Sequence, residues 1–252
     1  MRIQPVEPYQ SLAPFYDALM AHVDYPLWAD LVRSLWELHA RRPLGSVHDA
    51  ACGTGRFLEA LHEAGLSMAG CDASEGMLEV ARRRLGRRAR LRRADLRQLD
   101  GAADWDLVTC LYDSLNYLLE PEELTEALAR LGRLCAPDGL VVFDVCTERN
   151  SLAHFMDRTE RGQHGDWEWE RHSWYERGPR LHHNEFLVEH LPSGRRWAES
   201  HRQRVYPLAE VEACARRAGL GLVARTADFT LRPGNEGSDR VHFAARPSGE
   251  CA

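Results

Sequence analysis

The chain contains no lysine, and all 32 of its basic residues are arginine. Schiff-base catalysis and a Walker-type phosphate loop both need a lysine amine, so both are excluded. The seven cysteines (52, 71, 110, 135, 146, 214 and 251) are scattered, with no Cys-x-x-Cys pair. An odd, unframed set suits reduced thiols and therefore a cytoplasmic location. No apolar run approaches membrane-spanning length, and the N-terminus lacks a signal peptide's apolar region, so no membrane partner is expected. The net charge of −6 gives no global pull toward nucleic acid or anionic lipid. The histidines lack metal-ligand spacing. His182 and His183 are neighbours that would face opposite sides of a strand, so no metal is expected.

What is present centres on Ser46 to Leu58. This stretch reads as a short strand, a turn with Gly53 and Gly55, and the start of an apolar helical pattern at Phe57. Glycine allows positive φ and close backbone approach of a ligand, and the helix start presents free N–H groups. Dinucleotide folds use a similar turn, but their third glycine is replaced here by Leu58. Asp49 stands at the strand end. Its carboxylate would repel a pyrophosphate and attract an ammonium or a sulfonium, which suits S-adenosyl-L-methionine (SAM).

The rest of the chain continues as strand and helix. A second strand ends at Asp72, an acid placed to accept from both hydroxyls of a ribose. Ser74 reads as the cap of the next helix, and Met77 is placed to lie against a flat base. A third strand ends at Asp95, whose carboxylate can accept from an exocyclic amine. The fourth, from Trp105, is a continuous apolar run leading into Tyr112-Asp-Ser-Leu-Asn-Tyr117, a polar loop where ligands of open α/β sheets bind. A helix from Pro121, a turn at Pro137-Asp-Gly139 and a fifth strand from Leu140 follow.

Three segments stand apart. Residues 1–45 read as a helical lid, with Tyr9, Tyr16, Tyr25 and Trp28 available to close over a cofactor. Residues 150–206 carry three period-2 patterns and read as an antiparallel meander capping the substrate. Its Trp167, Trp169, Trp174 and Trp197 suit either an aromatic or cationic acceptor or the meander's own core. Arginines 82, 83, 84, 87, 88, 90, 92 and 93 crowd one helix end. They read as an RNA strip or as a solvated helix end favoured by the dipole.

The motifs Asp49-x-x-Cys-Gly-Thr-Gly, Gly70-Cys-Asp72-Ala-Ser, Ala94-Asp95-Leu96 and Asp106-Leu-Val occur in order and in spacing. With them the chain resembles the class I SAM-dependent methyltransferases of small-molecule type, and its insertion is similar to that of glycine and aminosugar N-methyltransferases. The resemblance implies an α/β fold. A Rossmann-like seven-stranded sheet is flanked by helices, has a reversed last hairpin and carries an antiparallel β insertion after strand 5. The methyltransferase core would comprise 46–149 and 207–246. The cofactor SAM would be held by Asp49, Ala50, Gly53 and Gly55 at its methionine part, with Cys110 and Leu111 near the amine. Asp72 and Ala73 would serve the ribose, Asp95 and Leu96 the adenine, with Tyr16, Trp28 and Met77 closing the pocket. Insertions of this kind often contribute to oligomers, so a homodimer is an expectation.

Methyl transfer asks the protein mainly to position the acceptor, exclude water and take a proton. Asp113, or a histidine of the insertion, is the candidate base, with Tyr112, Asn116 and Tyr117 shaping the pocket. Capping a helix is the alternative role for Asp113. The expected activity is methylation of an N or O atom of a small molecule. An RNA or protein methyltransferase using the arginine run, a nicotinamide oxidoreductase and a non-catalytic SAM sensor are the other readings.

Overall fold

The computed structural model describes residues 2–248. The chain begins with β1 (Ile3–Pro5), passes through consecutive turns to α1 (Tyr16–Leu19) and enters α2 (Tyr25–His39). Asp24 caps α2 by accepting from the Leu27 N–H, and Pro26 sits in the first turn, where its missing N–H costs nothing. Then β2 (Ser46–Ala50), α3 (Arg56–Leu61), β3 (Ser67–Asp72), α4 (Glu75–Leu85) and β4 (Ala89–Arg93) alternate. They are followed by β5 (Trp105–Cys110), α5 (Pro121–Leu134), β6 (Cys135–Cys146) and the short α6 (Glu148–His154). The inserted strands are β7 (Asp157–His164), β8 (Trp167–Glu176), β9 (Leu181–His190) and β10 (Arg195–Arg204). The chain closes with α7 (Leu208–Arg217), β11 (Leu220–Ala227) and β12 (Arg240–Pro247).

The main sheet has seven strands in the order β11-β12-β6-β5-β2-β3-β4. Neighbours from β4 to β6 are parallel, and β12 runs antiparallel to both β6 and β11. This is the Rossmann-like sheet with a reversed final hairpin. Leu107, Val108, Val141, Val142 and Phe143 are wholly buried, because helices cover both faces. The α5 and α7 leucines and valines fill one side, and α2, α3 and α4 fill the other. Each such side chain contributes about 1.5–3 kcal/mol by leaving water. Parallel strands share one carboxyl edge, so Asp49, Asp72 and Cys110 all reach the same side of the sheet.

A second sheet, in the order β1-β10-β9-β8-β7, is an antiparallel meander with β1 added in parallel to β10. It holds four inserted strands where the periodicity gives three. The unrecognised one, β7, is polar and mostly exposed, so it carries no apolar alternation. Trp167, Trp169 and Trp197 pack with Leu12, Phe15 and Val188 into a separate core, and Trp174 lies flat on His183. The tryptophans are thus the meander's packing.

The N-terminal segment departs furthest from expectation. Residues 8–15 are turns rather than a helix, and Tyr9 takes φ 67°. Turns closed by i+3 hydrogen bonds, such as Phe15 N–H to Leu12, also bring every third residue to one side, which mimics a helical pattern. The helix after the glycine turn is short and ends at Leu61. Residues 137–139 lie within β6, where the pairing slips between Trp105–Cys135 and Leu107–Leu140. Six cysteines are buried and unpaired, and Cys251 lies outside the described residues. No helix among the described residues is long and apolar enough to cross a membrane.

Asn116 ties the two sheets together. Its Nδ2 donates to the Arg204 carbonyl at 2.7 Å, and its Oδ1 accepts from the Cys146 N–H at 3.3 Å, in a site 1% exposed. An Asn116→Ala variant leaves two buried backbone groups without partners. It is expected to lose about 2–3 kcal/mol of stability in urea denaturation; wild-type stability would contradict the assignment.

Candidate functional site

A cavity of about 760 Å³ opens at the carboxyl edge of the main sheet, between β2, β3 and the N-terminal segment. The glycine turn forms its floor. Gly53, at φ 54°, has nothing within 4 Å of where a Cβ would stand, so a ligand can approach that backbone. Gly55 serves differently. It caps α3 at φ 80°, and an added Cβ would stand 2.9 Å from Leu85, so it sets the approach of α3 to α4.

Two buried carboxylates line the cavity. Asp72 accepts from the backbone N–H of Gly53 and of Ser74, each at 2.8 Å, which ties the turn to β3. Burial raises its pKa against these two donors. Asp49, 3% exposed, accepts only from the Thr109 hydroxyl among the described residues, at 2.7 Å. Burial pushes its pKa up to about 7; the Thr109 bond opposes the shift and the Asp72 charge adds to it. Two carboxylates held in a cavity wall with few donors fit a ligand that brings a cation and hydroxyl donors.

The other expected residues divide. Tyr16, Trp28, Ala73, Met77, Asp95, Leu96, Leu111 and Tyr112 line the cavity, as do Tyr9, Tyr25 and Tyr117. Asp95 is held by Arg97 through three donors at 2.7–2.9 Å, which keep its pKa low. Ala50 and Cys110 are wholly buried in the core behind the wall, and with Gly55 they are not among the lining residues.

Asp113 and Asn116 also lie off the cavity. Asp113 accepts from Arg240 Nη2 at 2.8 Å and from Gln203 Nε2 at 2.7 Å. Arg240 is also paired with Asp144, and Asp144 accepts the Asp113 N–H at 3.0 Å. Asp113 is thus held in an ion pair outside the cavity lining, away from where an acceptor would sit. Its network instead holds Tyr112 and Asp113 at φ 61° and 51°, a strained pair that turns Tyr112 into the cavity.

Two clasps close the N-terminal segment over the cavity. Asp17 accepts from Thr54 Oγ1 at 2.7 Å and pairs with Arg84, whose Nε donates to the Thr54 carbonyl at 2.9 Å. On the other side, Glu199 of β10 accepts from the N–H of Tyr9 (2.7 Å), Ser11 (2.5 Å) and Leu12 (3.2 Å), and from the Ser11 hydroxyl (2.6 Å). His201 Nε2 lies 3.1 Å from the same carboxylate, and its Nδ1 lies 2.8 Å from the Tyr117 hydroxyl. His201 is one of the insertion histidines that the sequence offers as a base, whereas Glu199 belongs to no motif. The signal that links the two is spacing, since residues two apart share a strand face.

The arginine run is largely occupied. Arg82 pairs with Glu75, Arg84 with Asp17 and Glu59, and Arg92 with Asp100, while Arg90 lies over Trp105 and Arg93 donates to the Ala73 carbonyl. Among the described residues, no group of three His, Cys, Asp or Glu side chains could hold a metal ion.

Residues 47–139 match the family described as "Methyltransferase domain". The chain is 31% identical over 245 residues to "Putative methyltransferase YqeM" of Bacillus subtilis (strain 168), spanning 95% of this chain and 97% of that one. It is 38% identical over 117 residues to a dTDP-3-amino-3,4,6-trideoxy-alpha-D-glucopyranose N,N-dimethyltransferase of Streptomyces venezuelae, covering 46% of each. A crystal structure of an S-adenosylmethionine-dependent methyltransferase from Clostridium acetobutylicum ATCC 824 superimposes with a TM-score of 0.80 at 21% identity, over 96% of this chain and 99% of that one.

The Asp49 environment generates a pH-dependent expectation. Folded Asp49 keeps its proton up to about pH 7, whereas the unfolded residue releases it near 3.8. Its contribution to stability therefore declines as pH rises from 3.8 to 7, and the cost is complete above that. Asp49→Asn retains an acceptor for Thr109 without the charge. The ligand-free variant is expected to match wild type near pH 4 and exceed it by about 1–3 kcal/mol at pH 8. Thermal melts across this range check it, and a pH-independent difference would contradict it.

Proposed function

The chain belongs to the class I SAM-dependent methyltransferases of small-molecule type, and on that footing we propose that it methylates a nitrogen or oxygen atom of a small acceptor in the cytoplasm. The observation that carries this reading is the pair of buried carboxylates, Asp49 and Asp72, on the wall of a 760 Å³ cavity. Asp49 and the Gly53 turn would face the positively charged methionine part of SAM, with Leu111 near its amine. Asp72 and Ala73 would hold the ribose, and Asp95, Leu96 and Met77 would border the adenine. Tyr16 and Trp28 close the other side of the cavity, and Ala50, Gly55 and Cys110 act from behind by packing.

SAM supplies an activated methyl group: the acceptor lone pair bonds to the methyl carbon as the carbon–sulfur bond breaks, and that bond's electrons stay on sulfur. The protein has to exclude water and place the acceptor against that carbon. Tyr9, Tyr16, Tyr25, Trp28, Tyr112 and Tyr117 provide an enclosing wall of rigid rings with polar tips. The Streptomyces relative, a dimethyltransferase of an amino sugar by name, supports an amine acceptor. The commitment of the arginine run to acids and backbone carbonyls supports a small molecule over RNA.

The test is methyl transfer from labelled SAM into a host-cell extract split by size. Label is expected in the small-molecule fraction, with little response to added salt. Label in RNA, falling steeply with salt, would contradict the reading.

A further inference from the structure

A buried hydrogen-bonded chain runs from the cavity into the inserted sheet. Tyr9 Oη lies 2.6 Å from Tyr117 Oη, Tyr117 Oη 2.8 Å from His201 Nδ1, and His201 Nε2 3.1 Å from Glu199 Oε2. Both tyrosines line the cavity, whereas the side chains of His201 and Glu199 are 2% and 0% exposed behind it. From the methyltransferase reading above, on which this step rests, the geometry points to Tyr117 as the residue that takes the acceptor's proton, with His201 as the store and Glu199 as its orienter.

Donor and acceptor capacity fixes the direction. The Glu199 carboxylate only accepts, so in the neutral imidazole that the relay starts from, His201 carries its proton on Nε2 and leaves Nδ1 as an acceptor. Nδ1 then takes its hydrogen bond from the Tyr117 O–H. The Tyr117 oxygen in turn accepts from Tyr9 and keeps a lone pair for the cavity. Burial drives the pKa of both phenols well up, so Tyr117 passes protons as a neutral hydroxyl and not as a phenolate. Burial would also raise the Glu199 pKa, but the bonds from His201 and Ser11 outweigh it and hold the carboxylate ionised.

An amine that has gained a methyl group carries one proton too many, and a hydroxyl must shed its proton as it attacks. In either case the proton passes to the Tyr117 oxygen as the phenol's own proton moves to His201 Nδ1. The product is neutral, and the imidazolium formed rests against the Glu199 carboxylate. Nothing is oxidised or reduced, and the proton later leaves to water by the reverse path. The groups facing His201 are Glu199 on its own strand, Tyr9 of the N-terminal segment and Tyr117 of the loop after β5; the Asp113 charge bears on Tyr117.

The test uses Tyr117→Phe and His201→Gln in the full chain. With 15N-labelled histidine, NMR of the wild type is expected to show His201 as the Nε2–H tautomer with an Nδ1 acceptor, and Tyr117→Phe should shift the Nδ1 signal. Calorimetric SAM affinity is expected to stay within about twofold of wild type in Tyr117→Phe. Its transfer of labelled methyl into the small-molecule fraction of the extract is expected to fall about 10²-fold in kcat. In His201→Gln, the limb of the pH–rate profile that reports the base should disappear. Wild-type turnover by Tyr117→Phe, or a His201 Nδ1 resonance that ignores that substitution, would overturn the relay. Absence of SAM binding to the wild type would instead overturn the functional reading, and the NMR arm would still decide the hydrogen-bonded chain.

Discussion

A carboxylate buried with one neutral donor is costly, and Asp49 is such a group. The strands place it there because β2 is central and parallel, so its C-terminal residues end beneath the glycine turn, where Asp49 faces the cavity with only 3% of its surface exposed. Thr109 on β5 satisfies only part of its capacity, and Asp72 on β3 adds a second negative charge to the same wall. A fold that keeps this arrangement spends stability to do so, which is the usual mark of a site awaiting a ligand. In the proposed function the cationic end of SAM removes that cost.

The cavity is closed by contacts far apart in the chain. Residues 9–12 are pinned by one carboxylate on β10, and Asp17 is pinned by Arg84 at the end of α4. The N-terminal segment therefore reports on both the core and the inserted sheet. Glu199 serves in two ways. It holds the segment over the site, and it orients His201 toward Tyr117. Closure and the proposed proton path thus share one side chain.

The core was legible because its signals are local. Apolar runs, Gly53 and Gly55, and acids at strand ends suffice to place the sheet and its carboxyl edge. Ser74 caps α4 as its residue type implies. The site's outer half was not legible, for two reasons. The turns at 8–15 imitate a helix in their apolar spacing, and their backbone donors are satisfied by Glu199, nearly two hundred residues away. Asp113 looks like a free acid beside a cavity until Arg240, 127 residues on, is seen to neutralise it. The strand β7 shows the same limit, since an exposed polar strand has no periodic apolar mark.

The most direct measurement is calorimetric titration of SAM at pH 6.5 in buffers of different ionisation enthalpy. The cofactor's own amine is mostly protonated there, with an α-amino pKa of about 8. If a cation binds beside Asp49, its carboxyl loses the proton that burial had kept on it. Release of a sizeable fraction of one proton per SAM bound is expected, and Asp49→Asn should abolish it along with most of the affinity. Tight binding without proton release, unchanged in Asp49→Asn, would contradict the role assigned to the buried carboxylate.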